Sequence, residues 1–233
     1  MTETIAEGEI HIYYAELNRP EPELNSLAGL LDDQETARAK RFKFDIHRRR
    51  LIARRGLLRQ LLARYTGQDP AAIRYTYGHR EKPALADSTD LQFNVSDSQD
   101  LAAYAITRGV EIGVDVEILR PMPDAISISE HYFSDPERED LRSVGEEETA
   151  EAFFNCWTRK EAYLKAIGEG LAEPLNSFVV TLRPGEAARF LEFKKVPHEV
   201  DSWELHHLRP SPESVGALAL RQRGVKIVEA GWL

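Results

Sequence analysis

Cysteine is almost absent. Cys156 is the single thiol in a chain of 233 residues, so no internal disulfide can form and the fold must hold through its core, as in a reducing compartment. Methionine occurs twice and tryptophan three times, while 14 glycines and 12 prolines are too few for a collagen-like or low-complexity chain. No apolar run approaches the roughly 18 residues that a membrane span needs. The opening Met1-Thr2-Glu3-Thr4-Ile5-Ala6-Glu7 is acidic and lacks the apolar centre of a signal peptide. These absences predict a cytoplasmic protein with no membrane partner. Gly-x-Ser-x-Gly, a Walker loop, the dinucleotide-binding glycines and zinc-like Cys/His spacing are also missing, which removes the commonest hydrolase, nucleotidase and zinc readings.

What is present is an ordinary globular composition, 42% hydrophobic and 30% charged, long enough to bury well over half its unfolded surface. Thirty Lys and Arg against 39 Asp and Glu give a net charge of −9, which argues against nucleic acid as a partner. The charge is uneven. Between Arg38 and Arg59 ten cations face one acid, Asp45, whereas Asp135 to Glu151 carries eight acids and two arginines. A basic stretch in an acidic chain suggests a local anion site.

Periodicity predicts a strand at Ile10–Tyr14 and a helix at Leu24–Leu31. It then predicts a helix capped by Asp32-Asp33 and a long helix through Leu51–Tyr65 that ends at Gly67. Strands follow at Ile73–Tyr77, Leu91–Val95 and Leu101–Ile106, with a Ser96-Asp97-Ser98 turn between the last two, and Lys82-Pro83 opens a loop. Beyond Thr107-Arg108-Gly109 come a strand at Glu111–Ile118, helices at Ile126–Phe133, Glu137–Arg142 and Ala150–Ile167, and five short strands. Each half has a long helix stopped by glycine and then short strands, without a convincing sequence repeat. Hairpin-length connections favour an antiparallel α+β arrangement, with halves 1–108 and 109–233.

Four groups of residues could carry chemistry, one of them the basic stretch, whose cations could bind a nucleotide phosphate or an acidic protein or simply form a solvated helix face. On Ile112-Gly113-Val114-Asp115-Val116-Glu117, strand alternation puts Asp115 and Glu117 on one face and Ile112, Val114 and Val116 on the other. Two carboxylates on a stiff strand suit a hard cation such as Mg²⁺, and equally describe a solvated acidic face. In Trp157-Thr158-Arg159-Lys160-Glu161-Ala162-Tyr163-Leu164-Lys165, the residues Trp157, Glu161 and Lys165 share one helical stripe. Glu161 can join the two strand carboxylates, with Lys165 placed to meet a phosphate; the plain alternative is an exposed Glu–Lys pair. Lys82-Pro83 and Phe93-Asn94-Val95-Ser96-Asp97-Ser98 offer a lysine and hydroxyls of the kind that hold phosphate, in a composition common in turns. Cys156, beside Trp157 on a helix, reads as a packed thiol.

In this order these segments resemble the Sfp-type 4'-phosphopantetheinyl transferases. The carrying motifs are Ile112 to Glu117 and, about 40 residues on, Phe154 to Leu171, supported by Lys82-Pro83, Phe93-Asn94-Val95-Ser96 and the stretch ending Arg48-Arg49-Arg50-Leu51. The resemblance spans residues 38–182 and implies two similar α+β halves with the active site between them. It implies transfer of 4'-phosphopantetheine from CoA to a serine of an apo acyl or peptidyl carrier protein, Mg²⁺-dependent, with release of 3',5'-ADP. By position it implies Asp115, Glu117 and Glu161 as metal ligands, and Glu161 and Lys165 as catalytic groups. It makes Arg38, Arg50, Lys82, Ser96, Asp97 and Lys165 the CoA contacts. At Asp97 the family usually has a histidine facing the CoA 3'-phosphate, so an acid there is a departure. The carriers of fatty-acid, polyketide and nonribosomal-peptide synthesis all fit. Because such carriers are acidic, the resemblance also implies a basic docking surface, with Arg38–Arg55 its best source. Met122, Ile126, Ile128, Tyr132 and Phe133 are either core or docking surface. With both halves on one chain, a monomer is expected. A Mg²⁺-dependent phosphohydrolase or nuclease, and a non-catalytic CoA or carrier-binding module, remain as alternatives.

Overall fold

Two helices of 22 residues, each stopped by a left-handed glycine, organise the chain. The computed structural model describes residues 2–78, 82–87, 90–168 and 173–233. The first half runs β1 (Glu9–Glu16), α1 (Glu21–Ala28), α2 (Asp33–Lys40), α3 (Asp45–Thr66), β2 (Tyr75–Tyr77), β3 (Pro83–Leu85), β4 (Leu91–Ser98) and β5 (Leu101–Arg108). The second runs β6 (Ile112–Ile118), α4 (Ala125–Tyr132), α5 (Asp135–Ser143), α6 (Glu146–Ile167), β7 (Phe178–Val180), β8 (Phe190–Phe193), β9 (Glu204–Leu208) and β10 (Ser214–Leu220), and β11 (Lys226–Trp232) closes the chain.

The two halves have one topology. In the first, β5 lies between β1 and β4; in the second, β10 lies between β6 and β9, and all four pairings are antiparallel. The likeness reaches single side chains. Glu35 and Glu137 are both the third residue of a helix whose N-cap completes a capping box. Each is buried against the cation at the fifteenth position of the following long helix, Arg59 at 2.7 Å and Lys160 at 2.8 Å. Each cation in turn lies over the first aromatic ring of the next strand, Tyr75 or Phe178. These are chemical equivalents rather than identities, so the sequence shows no repeat.

Strand alternation sorts three cores. Ile10, Ile12 and Tyr14 of β1, Leu101, Ala103 and Ala105 of β5, and Ile112, Val114 and Val116 of β6 pack together between the two sheets. The opposite faces pack under α3 through Tyr13, Ala102, Tyr104 and Ile106, and under α6 through Val215, Ala217 and Ala219. The expected helices and most strands are present, the two long helices starting six and four residues earlier than periodicity places them. Two local expectations are corrected. Ser96-Asp97-Ser98 is strand, because β4 pairs with β5 as far as Ser98 and the chain reverses at Gln99-Asp100, where Gln99 takes φ 54°. The residues after Lys82 form the short strand β3, paired with β2. The sheets are also not wholly antiparallel: β11 leaves its own half and pairs parallel to β1. Among the described residues no helix is long and apolar enough to cross a membrane.

Candidate active site

The acidic strand meets the second long helix because of Gly113. A Cβ there would lie 2.0 Å from the Ala162 carbonyl oxygen and 2.4 Å from the Ala166 nitrogen, so only glycine lets β6 touch α6. Asp115 and Glu117 follow on the same face and are carried to the α6 side. Along α6 from Ala152 to Ala166 every residue is buried except Trp157, Glu161 and Lys165, which are partly exposed on one stripe. Three glutamates in the first turn and Lys165 in the last suit the helix dipole, and Gly168, with φ 68°, ends the helix.

The solvated-face and exposed-pair readings both fail. Asp115 is buried, and its Oδ1 accepts from Lys165 Nζ at 2.6 Å and from Ser96 Oγ at 2.7 Å. Lys165 Nζ also donates to Ser96 Oγ at 2.8 Å. Glu117 Oε2 accepts from Ser98 Oγ at 2.6 Å and from Arg120 Nη1 at 3.1 Å. Glu161 has its carboxyl pushed up from the usual range by burial and then by the Asp115 and Glu117 charges, against an opposing pull from Lys165. Asp115 Oδ2 is buried with no hydrogen-bond partner. Three carboxylates with one orphaned oxygen and one nearby ammonium form an all-oxygen donor set with excess negative charge, which suits a hard divalent cation. The donor chemistry fits, but among the described residues no three acidic, histidine or cysteine side chains stand close enough together to hold a metal ion. Lys165 already occupies the other oxygen of Asp115.

The remaining predicted residues are dispersed. Lys82 Nζ donates to the carbonyls of Ile112 at 3.0 Å and Ala166 at 2.9 Å, tying the first half to the start of β6 and the end of α6. Burial lowers its pKa to about 8. Asp97 points to the opposite face of β4 from Ser96, as alternation requires, and ion-pairs with Arg54. Arg54 has its own pKa lowered to about 10 by burial and then by Arg55. Arg50 Nε donates to Asn18. Arg38 lines a cleft of about 790 Å³ with Arg41, Phe42, Leu51, Arg55 and Tyr77, and two buried nitrogens of Arg55 make no hydrogen bond, although its Nε lies 3.9 Å from Glu35.

Much of the basic stretch is neutralised within the chain: Arg48 by Asp45, Arg49 by Glu21, and Arg59 by Asp32 and Glu35. Of the apolar candidates, Phe133 is core, Met122, Ile126 and Ile128 pack partly against it, and Tyr132 is exposed with its ring edge on Trp157. Cys156 is fully buried and its thiol is pushed well up by burial. The motif tail Glu169-Gly170-Leu171 lies outside the described residues. Sequence reasoning read Ser98 only as a turn hydroxyl of the kind that holds phosphate, and did not single out Arg54 or Arg120. The available signal for Ser98 was the polar alternation Asn94-x-Ser96-x-Ser98, which reads as a turn until its pairing is known.

With this geometry in place, comparison with known proteins identifies the class. Residues 111–219 match the 4'-phosphopantetheinyl transferase superfamily, and residues 18–108 match the 4'-phosphopantetheinyl transferase N-terminal family. The chain is 40% identical over 220 residues to the 4'-phosphopantetheinyl transferase HetI of Nostoc sp., covering 93% of this chain and 90% of the relative. It is 30% identical to a 4'-phosphopantetheinyl transferase of Bacillus subtilis, covering 74% of this chain and 76% of the relative. With Sfp of Bacillus subtilis strain 168 it shares 28% identity over 83% of this chain and 87% of the relative. The chain belongs to the 4'-phosphopantetheinyl transferase family. It is an enzyme that moves phosphopantetheine from CoA to an apo carrier protein, which sets aside the phosphohydrolase and binding-module readings.

Proposed function

We propose that the transfer takes place where β6, α6 and β4 meet, with Asp115, Glu117 and Glu161 holding Mg²⁺. The observation that carries this reading is the buried, unpartnered Oδ2 of Asp115 beside two further carboxylates and Lys165. When bound, a divalent cation offsets charge on the CoA diphosphate. The carrier serine is a weak nucleophile and must lose its proton as its oxygen bonds to phosphorus. Glu161, made more basic than an ordinary carboxylate by burial and by the Asp115 and Glu117 charges, takes that proton directly or through one water. The phosphorus–oxygen bond to 3',5'-ADP breaks and its electron pair leaves with that group. Lys165 offsets the charge that develops there. Trp157, packed on Phe153 and Tyr132, orients the helix.

The first half, residues 1–108, supplies the nucleotide contacts, and residues 109–233 supply the metal and the chemistry. The cleft at Arg38 joins cations to aromatic rings, as a nucleotide phosphate and base require, with Arg50, Lys82 and Ser96 as further CoA contacts. Asp97 is not a direct 3'-phosphate contact in this reading, because Arg54 neutralises it. The enzyme works as a cytoplasmic monomer on an acidic apo acyl or peptidyl carrier protein.

The test is incubation with a panel of apo carriers, CoA and Mg²⁺, read by intact mass. A gain of one phosphopantetheine group is expected, lost on chelation and in Asp115→Asn. Undiminished transfer by Asp115→Asn, or in the presence of chelator, overturns the assignment.

A further inference from the structure

β6 is the edge strand of its sheet, so the N–H groups of Val114, Val116 and Ile118 point away from β10. They are satisfied by side chains of β4 in the other half of the molecule. Val114 N donates to Asn94 Oδ1 at 2.8 Å, Val116 N to Ser96 Oγ at 3.4 Å, and Ile118 N to Ser98 Oγ at 3.2 Å. An amide can only donate, and a hydroxyl has one proton of its own. Ser98 therefore accepts from Ile118 and directs its single proton to Glu117 Oε2 at 2.6 Å. Ser96 does the same for Asp115, with Lys165 as its second donor.

Each acid consequently has one oxygen held from across the interface and one left over. For Asp115 the remaining oxygen is the buried, unpartnered Oδ2. For Glu117 it is Oε1, which makes no hydrogen bond among the described residues. Arg120 also reaches Glu117 Oε2, but its side chain is 43% exposed and it shares its donor with the Ile118 carbonyl. Without Ser98 the Glu117 carboxylate would be tethered only by this exposed arginine.

We propose that Ser98 is a positioning residue for the transfer: by docking on the β6 edge and donating to Oε2, it presents Glu117 Oε1 to the divalent cation. This rests on the reading of Glu117 as a cation ligand. A hydrogen-bonding partner behind a metal-ligating carboxylate commonly changes affinity by about 10–100-fold when removed. The interface between halves then sets metal affinity as well as holding the sheets together.

The test measures Mg²⁺ binding to the full-length enzyme by titration calorimetry, without CoA or carrier, alongside the Mg²⁺ dependence of transfer. Ser98→Ala is expected to weaken Mg²⁺ binding about tenfold. It should raise the Mg²⁺ concentration for half-maximal activity in parallel, with kcat at saturating Mg²⁺ and the KM for carrier little changed. Ser98→Thr, which keeps the hydroxyl, should restore both. In a Glu117→Ala background Ser98→Ala should have no further effect, since Ser98 acts through Glu117. Should Ser98→Ala not yield folded protein, Ser98→Cys, a much weaker donor of similar size, carries the same comparison. Unchanged Mg²⁺ affinity in Ser98→Ala, an effect that persists without Glu117, or failure of threonine to rescue overturns the proposal. If Asp115→Asn also binds Mg²⁺ normally, the carboxylate reading itself falls. If Asp115→Asn loses Mg²⁺ and Ser98→Ala does not, only this inference falls.

Discussion

The strip between long helix and first strand differs sharply between the two halves. Under α3 it is closed by a chain of tyrosine hydroxyls and a histidine ring: Tyr13 donates to Glu3, shares a hydrogen bond with Tyr65 at 2.7 Å, and Tyr65 meets His11 at 2.6 Å. Under α6 the corresponding strip holds Asp115, Glu117, Glu161 and Lys165, with a buried oxygen unsatisfied. The same scaffold therefore carries one strip whose polar groups satisfy one another and one whose charges do not. Stability asks for the first kind of strip; binding a cation and an anionic donor asks for the second.

The largest expected effect tests this contrast directly. Asp115→Ala should reduce transfer by about a hundredfold or more while the melting temperature stays near wild type. Tyr13→Phe, on the other strip, should leave transfer within twofold. Equal losses in the two variants, read by mass of the modified carrier, would erase the functional difference between the halves.

The buried ion pairs come next. Lys160→Met strands Glu137 in the core and should cost about 3–5 kcal/mol in urea unfolding. Arg59→Met should cost less, because Arg55 Nε remains 3.9 Å from Glu35. An equal or reversed ranking would mean that Arg55 provides no reserve.

Lys82, which ties the halves together, sharpens the comparison through pH. Burial lowers its folded pKa from 10.5 to about 8, so between those values the unfolded chain holds the extra proton. The stability this shift confers is complete above about 10.5 and is lost as pH falls through about 8. The stability difference between wild type and Lys82→Met should therefore grow as pH rises from 7.5 to 10.5. A flat difference in urea unfolding across that range would place the lysine in water rather than between β6 and α6.

The smallest effects belong to exposed pairs found in both halves, Asp45–Arg48 and Asp135–Arg138. Arg48→Ala and Arg138→Ala should each change stability by less than about 1 kcal/mol, and less still at high salt. A larger loss at either position would show that a helix start depends on its pair.

Much of this was legible before the fold was known. The 3.6 and 2.0 periodicities located α3, α6 and β6, because an amphipathic element must write its buried face into its residue order. The same alternation put Asp115 beside Glu117, and the helical repeat aligned Trp157, Glu161 and Lys165. The Ser96-Asp97-Ser98 turn misled because serine and aspartate signal turns locally, whereas pairing with β5 and the edge of β6 held them in a strand. The basic stretch carries less free charge than its count suggests, because charge counts ignore partners far along the chain: Glu21 claims Arg49 and Asp97 claims Arg54.

The sequence alone determined what local geometry controls: the elements, the face each buries, the glycines that end the long helices, and which acids share a side of β6. The tertiary structure decided everything that depends on contacts between distant residues. It revealed the duplication through Glu35–Arg59 and Glu137–Lys160, used Gly113 to bring β6 against α6, moved β11 into the sheet of the other half, and set Ser98 behind Glu117. Periodicity is a property of neighbouring residues and survives in the order of the chain. Which hydroxyl donates to which carboxylate depends on the register of strands 19 residues apart, and that exists only once the two sheets have closed on each other.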